Sequence, residues 1–301
     1  MKKALLSAAV LTALTSGAAA AATVYESEET TLKVGGRAEV RGLFLNDTVD
    51  GTMLDKSRAR INFAGETKIS ENVTGFGFME YEIKPGGTAG NRELFAGLET
   101  TAGAFSYGRQ DTANVQIADF TDIASEHSGQ QQYIGSASDK ENNTFLYSNT
   151  FADMFTLNAN YIAQENEDMD AIGISGVATL DFGLDLGASY SSQDDANQLT
   201  LGATYSMNDL YLGLTYAMGD VAEDDSFTSM EFAAQYKITK EFRVIGIVGM
   251  AQEDVAGDTE DFYAVEGQYR FTDNMRTYAS YKLNNLDNGS DELLLGLRYD
   301  F

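Results

Sequence analysis

Asp291-Glu292-Leu293-Leu294-Leu295-Gly296-Leu297-Arg298-Tyr299-Asp300-Phe301 closes the 301-residue sequence, and its alternation decides the fold. Odd positions carry Leu293, Leu295, Leu297, Tyr299 and Phe301; even positions carry Glu292, Leu294, Gly296, Arg298 and Asp300. In a strand these are opposite faces. Working outward, Leu199, Leu201, Ala203 and Tyr205 repeat the pattern against Gln198, Thr200, Gly202, Thr204 and Ser206. Leu210, Leu212, Leu214 and Tyr216 do so against Tyr211, Gly213, Thr215 and Ala217. Near the other end Leu32, Val34, Gly36, Ala38, Val40 and Phe44 oppose Lys33, Gly35, Arg37, Glu39 and Arg41. One face is apolar and tipped with aromatics; the other is small, polar or charged.

Short turn signals such as Met207-Asn208-Asp209, Thr239-Lys240 and Thr272-Asp273-Asn274 alternate with longer acidic stretches at 165–170, 219–225, 253–261 and 287–290. The runs predict about 16 strands of roughly 9–14 residues, short turns on one side and long loops on the other, as in transmembrane barrels. The first is placed at 31–46 and the last at 291–301, with others at 92–100, 210–218, 227–237 and 261–271 among them. A secreted sandwich or solenoid also alternates, but a sandwich has shorter strands and turns richer in proline. This chain has 1 Pro. An even strand count lets every lipid-facing strand pair on both sides, which hydrocarbon requires. Phe76 and Phe78 sit awkwardly, on the parity of Glu80 and Glu82.

Residues 1–22 read as a cleaved secretory signal: Lys2 and Lys3, an apolar run too short to span a bilayer, then small residues. Residues 23–301 form one barrel domain in this reading. No later run reaches the ~18 apolar residues of a membrane helix.

Composition narrows the chemistry. With 20 Lys plus Arg against 46 Asp plus Glu the net charge is −26, which argues against a nucleic-acid partner. The absence of Cys excludes disulfides and thiol catalysis, and 1 His excludes a multi-histidine metal site within one chain. Ser125 and Ser128 flank His127, but sequence adjacency is not triad geometry, and no G-x-S-x-G or P-loop is present. The expectation is no enzyme, no cofactor and no resident metal.

One connection, from Arg109 to Asn142, is far longer than the rest, and loops of this length are usually functional or disordered. It carries Ile117, Phe120 and Ile123, apolar residues suited to burial. Such a segment can fold into a barrel lumen.

Several stretches together resemble the Gram-negative general porins: Val34-Gly35-Gly36-Arg37-Ala38-Glu39, Arg58-Ala59-Arg60-Ile61-Asn62-Phe63, Asn91-Arg92-Glu93-Leu94-Phe95-Ala96-Gly97-Leu98, Tyr107-Gly108-Arg109, Asp119-Phe120-Thr121-Asp122-Ile123 and the terminal Gly296–Phe301. The look is nearest to the major porins of Vibrio and Photobacterium. The resemblance implies a 16-stranded antiparallel barrel in the Gram-negative outer membrane, a homotrimer, and a third loop folded into each pore. It implies loop carboxylates, Asp122 and Glu126 with Asp119 beside them, facing wall bases Arg37, Arg60 and Arg92, with Lys140 a looser match. Arg41 and Arg58 share their parity, and alternation alone already puts Arg37, Arg41, Arg58 and Arg60 on the polar face. Phe301, after Leu297 and Tyr299, resembles the signal read by the barrel-assembly machinery. The second loop, 86–90, is short and carries no obvious latch, and with no Trp any interfacial girdle is Tyr and Phe.

These features predict a passive channel for small polar solutes and ions. The acidic loops add a modest cation preference, or bridge through divalent cations to lipopolysaccharide. Two alternatives stand beside it: a sealed adhesive barrel with acidic surface loops, and a substrate-specific channel, for oligosaccharides for example. The latter wants a continuous aromatic track; Phe76, Phe78, Tyr211 and Tyr278 fall on polar faces without forming one.

Overall fold

The computed structural model describes residues 21–46, 53–129, 131–165, 169–287 and 289–301. The signal segment expected at 1–22 lies, apart from its last two residues, outside these. Alternation becomes strand throughout: β1 (Ala22–Glu26), β2 (Thr30–Leu45), β3 (Leu54–Asp55), β4 (Arg58–Ser70), β5 (Val73–Ile83), β6 (Ala89–Thr100), β7 (Gly103–Gln110), β8 (Glu141–Phe151) and β9 (Phe155–Ile162). They continue as β10 (Ala171–Leu180), β11 (Leu184–Gln193), β12 (Ala196–Met207), β13 (Leu210–Ala222), β14 (Asp225–Lys237), β15 (Phe242–Glu253), β16 (Gly257–Thr272), β17 (Met275–Asn284) and β18 (Glu292–Asp300). Sixteen of them, β2 and β4 to β18, pair antiparallel with their sequence neighbours, and β18 closes on β2 from Glu292↔Leu45 to Asp300↔Arg37. The result is the closed 16-stranded antiparallel barrel that the alternation predicts.

The two extra strands are short. β1 pairs with β2 from Ala22↔Val34 to Glu26↔Thr31, on the flank that β18 occupies further along. Phe301 joins the two: its amide donates to the Gly36 carbonyl at 3.0 Å, and its carbonyl accepts from the Gly36 amide at 2.8 Å. Gly36 lies so close to Phe301 that a Cβ there would stand 2.7 Å from its ring.

Burial is inverted relative to a water-soluble protein. Leu293, Leu295, Leu297 and Tyr299 are exposed, while Thr200, Thr215, Glu231 and Ser280 are completely buried. A lone water-soluble chain gains nothing by such an arrangement, whereas lipid outside and a polar interior stabilise it. Exposed Phe155, Tyr269, Phe271, Tyr299 and Phe301 cluster toward the short-turn ends of their strands, and exposed Tyr161 and Tyr281 toward the other ends. Tyr and Phe thus occupy the positions of interfacial girdles.

Two stretches read as acidic loops are shorter than expected. Strands placed at 210–218, 227–237 and 261–271 extend to Ala222, Asp225 and Gly257, taking in much of 219–225 and 257–261. Likewise a strand placed at 92–100 begins at Ala89. The apolar–polar code stops where lipid stops, but ladder hydrogen bonds continue into water, where Asp220, Asp258 and Glu260 are tolerated on either face. Phe76 and Phe78 do face inward as their parity required; they pack on Phe95, Ala64 and Ala104 in an apolar cluster inside the wall.

Candidate functional site

The segment of about 30 residues between β7 and β8 is anchored along its length to the wall. It opens with a one-turn helix, Val115–Ala118. Ile117 is fully buried and Phe120 nearly so. Their seat is three glycines on adjacent strands: a Cβ on Gly187 would stand 2.4 Å from Ile117 Cδ1, on Gly202 2.7 Å from Phe120 Cδ2, and on Gly213 2.0 Å from the Phe120 carbonyl oxygen. Only glycine leaves room for such an approach. Ile123 and Ala124 then pack against Ala233, Ile245, Ile247, Phe262 and Ala264.

Polar side chains on the inner parity of the wall fix the rest. The Ala113 amide donates to Asn160 at 2.8 Å, Ser189 donates to Asn114 at 2.6 Å, and Tyr211 donates to the Phe120 carbonyl at 2.7 Å. The Ser125 amide and hydroxyl both donate to Glu266, at 3.1 and 2.9 Å, and the Gly129 amide donates to Glu231 at 2.9 Å. Gln131 and Tyr133 both reach Ser229, at 3.0 and 2.7 Å. The segment therefore follows β9 round to β16. It ends this course at β2, where Arg41 pairs with Glu126 at 2.5 Å.

On the wall, the bases come with carboxylates of their own. Arg60 Nε donates to Glu82 at 2.6 Å, and Arg92 Nε to Glu80 at 3.0 Å. Arg58 donates to Glu39 at 2.5 Å, Arg37 lies 3.7 Å from the same carboxylate, and Tyr278 donates to it at 2.9 Å. Cross-strand register makes these pairs: Arg60 sits opposite Glu82 and Arg58 opposite Glu39.

A cavity of about 180 Å³ gathers Arg37, Arg60, Arg92 and Lys140 with Asp119 and Asp122. Six of the nine charged residues expected at a constriction thus share one space. The other three do not: Arg41 and Glu126 are spent on each other, and Arg58 on Glu39. Lys140 stands on the long segment and not on the wall, paired with Asp111 at 3.4 Å and with Asp139. Sequence reasoning passed over Glu80, Glu93, Asp111, Asp139, Arg298 and Asp300, which also line the cavity. Parity was the available signal, since Glu80 and Glu82 share a face with Phe76 and Phe78. Among the described residues, no three His, Cys, Asp or Glu side chains gather into a metal site.

Asp119 faces the open cavity, yet protein surrounds it closely. That desolvation first, then the carboxylates of Asp111 and Asp122, push its pKa up to about 7. Asp122 is raised for the same leading reason, against the Ser128 hydroxyl that donates to it at 2.8 Å. The Asp119 charge is complete only above that pKa, so its contribution to cation preference is expected to fade between about pH 8 and 6. The raised value favours the protonated folded form, so this group's contribution to stability is lost as pH rises through 7. Reversal potentials at pH 8 and 6 check the first point; Asp119→Asn should remove this step from the profile, and an unchanged step assigns it elsewhere. His127 is buried, which lowers its pKa, and its Nε2 has no hydrogen-bond partner among the described residues.

A closed barrel with an apolar outside and acidic and basic side chains gathered within is the architecture of an outer-membrane channel, and comparison with known proteins gives the class. The family model described as Gram-negative porin matches residues 7–289, and the chain belongs to that family. It is an outer-membrane porin, a channel rather than an enzyme. It is 33% identical to porin-like protein L of Photobacterium profundum and 32% identical to outer membrane protein U of Vibrio parahaemolyticus, with 100% of both chains covered in each case. Among solved structures, Salmonella typhi OmpF in complex with daunomycin superposes with a TM-score of 0.82 at 23% identity, over 93% of this chain and 100% of that one. The trimer form of in-vitro folded OmpT from Vibrio cholerae gives a TM-score of 0.74 at 19% identity, over 91% and 100%.

Proposed function

We propose that the protein is a passive, modestly cation-selective diffusion pore for small hydrophilic solutes, with the segment 111–140 lying in the lumen and its cavity with the wall forming the constriction. One observation carries the selectivity: seven carboxylates line that cavity against five cationic side chains. Opposed charges on two sides of a narrow passage orient water and dipolar solutes, so an apolar solute loses its ordered water without replacement. The small excess of carboxylates favours cations, and the acidic mouth adds to it at low salt, where screening is weak. Replacing Asp119 and Asp122 together by Asn balances the lining. The reversal potential in a KCl gradient should then move close to zero; a cation preference left intact would place selectivity elsewhere.

The remaining parts follow the same reading. Residues 1–22 act as the export signal, and 23–301 as the barrel. The outer face of β4 to β6 is thin, with Gly65, Gly75, Gly77 and Ala96 on it, and this is where copies pack into a homotrimer. Phe301, seated on Gly36 and exposed at the barrel's end, is available to the assembly machinery. The acidic outer turns meet lipopolysaccharide through divalent cations.

A further inference from the structure

The short-turn rim holds a second, larger cavity of about 630 Å³, remote from the acidic loops. Lys237, Lys240, Arg243, Arg270 and Arg276 line it. Its two acidic neighbours are Asp209 and Glu241, and Glu241 accepts a hydrogen bond from Thr239 at 3.0 Å within its own turn. The register concentrates positive charge: Arg270 stands directly opposite Arg276, and Arg276 directly opposite Arg298. Like charges in facing positions destabilise a sheet. Elsewhere in this wall the problem is solved by carboxylates, as Arg298 is by Asp300 at 2.5 Å. Among the described residues Lys237, Lys240, Arg270 and Arg276 form no ion pair. Among the described residues Arg243 forms no ion pair either; it donates to amide oxygens, of Gln268 at 2.7 Å and Gln235 at 2.9 Å, which fix the guanidinium without carrying a balancing charge.

We infer that this rim cavity is an anion-docking site for phosphate groups carried by small soluble solutes on the periplasmic side. Paired guanidinium groups match phosphate oxygens bidentately, and the turn lysines add mobile point charges. The volume falls in the usual range of about 300–1,000 Å³ for small-ligand sites. A solute bound here sits on the periplasmic side of the constriction, which it adjoins through Arg298 opposite Arg276 and whose carboxylates outnumber its cations, so the site retains phosphorylated solutes at the inner mouth.

The test is equilibrium binding of tripolyphosphate to the folded, detergent-solubilised full barrel, followed by calorimetry. It reads binding without conduction, so it stands or falls separately from the diffusion reading. Wild-type protein should bind, and Arg270→Gln with Arg276→Gln should weaken binding roughly tenfold or more. Heat-modifiable gel mobility verifies that this variant is folded. Lys237→Gln with Lys240→Gln, at an exposed turn, provides a second variant and should weaken binding by about threefold. Salt should weaken binding in the wild type, as expected for charge-assisted contacts. No binding by the wild type overturns the assignment, as does binding that survives both rim variants. Loss on Arg92→Gln with none on the rim variants puts the anion at the constriction and equally overturns it. Monomeric dihexanoylphosphatidylglycerol is the second ligand; if it binds and tripolyphosphate does not, the site takes lipid headgroups and not soluble phosphate.

Discussion

Arg60→Ala is expected to destabilise the barrel by about 3 kcal/mol, the low end of the cost of stripping one partner from a buried pair. Arg60 bonds to Glu82 at 2.6 Å and stands 3.5 Å from Glu80, and all three side chains are 13% exposed or less. Without it, Glu80 keeps Arg92 at 3.0 Å, while Glu82 keeps only the longer contacts to Arg92 at 3.7 Å and to the exposed Lys84 at 3.6 Å. Water in the lumen screens part of the loss, which is why the low end applies. The same change removes one of five cations facing seven carboxylates, so cation preference should rise. The midpoint of urea unfolding in detergent and the reversal potential read the two effects. Arg60→Lys should keep most of the charge effect and lose part of the stability, because an ammonium cannot fork between two carboxylates. An Arg60→Ala barrel as stable as wild type would mean the network is solvated and weak.

The second large effect belongs to the glycine seat. In Gly213→Val the new Cβ meets the Phe120 carbonyl, a backbone atom that also accepts the Tyr211 hydroxyl. Neither side can turn away, so the long segment must leave the wall. Overpacking of this kind costs about 1–3 kcal/mol. The displaced segment moves toward the opposite wall, and single-channel conductance should fall with added flicker. Gly246→Ala is the control: its parity is outward, between the buried Ile245 and Ile247, and nothing lies within 4 Å of its Cβ. Equal conductance in the Gly213→Val and Gly246→Ala barrels would show that the segment does not set the passage.

The sixteen barrel strands were legible because lipid enforces period two on every one of them, and each expected strand is present. What lay outside that code was missed. β1 has no alternation long enough to announce itself, and it takes up the edge of β2 just beyond Gly36, where Phe301 ends its own pairing. The extension of β13, β14 and β16 beyond the membrane follows backbone pairing, which leaves no apolar signature. At the site, the polar parity of Gly202 and Gly213 was visible, but their role as a seat for Ile117 and Phe120 is tertiary. Glu39 and Glu82 could have been matched to Arg58 and Arg60 from parity and turn position, since tight turns such as Ser70–Val73 set the register. Charges on the long segment were legible only as residue types. Which of them reach the shared cavity, and that Glu126 is instead engaged by Arg41, depends on where the segment docks.

The central claim is an open, weakly cation-selective pore, and single-channel recording of the refolded wild-type protein in a planar bilayer tests it most directly. Large conductance steps arriving in threes, with a reversal potential on the cation side in a KCl gradient, are the predicted result. Folded barrels that insert and pass no current would contradict it and leave a sealed surface barrel in its place.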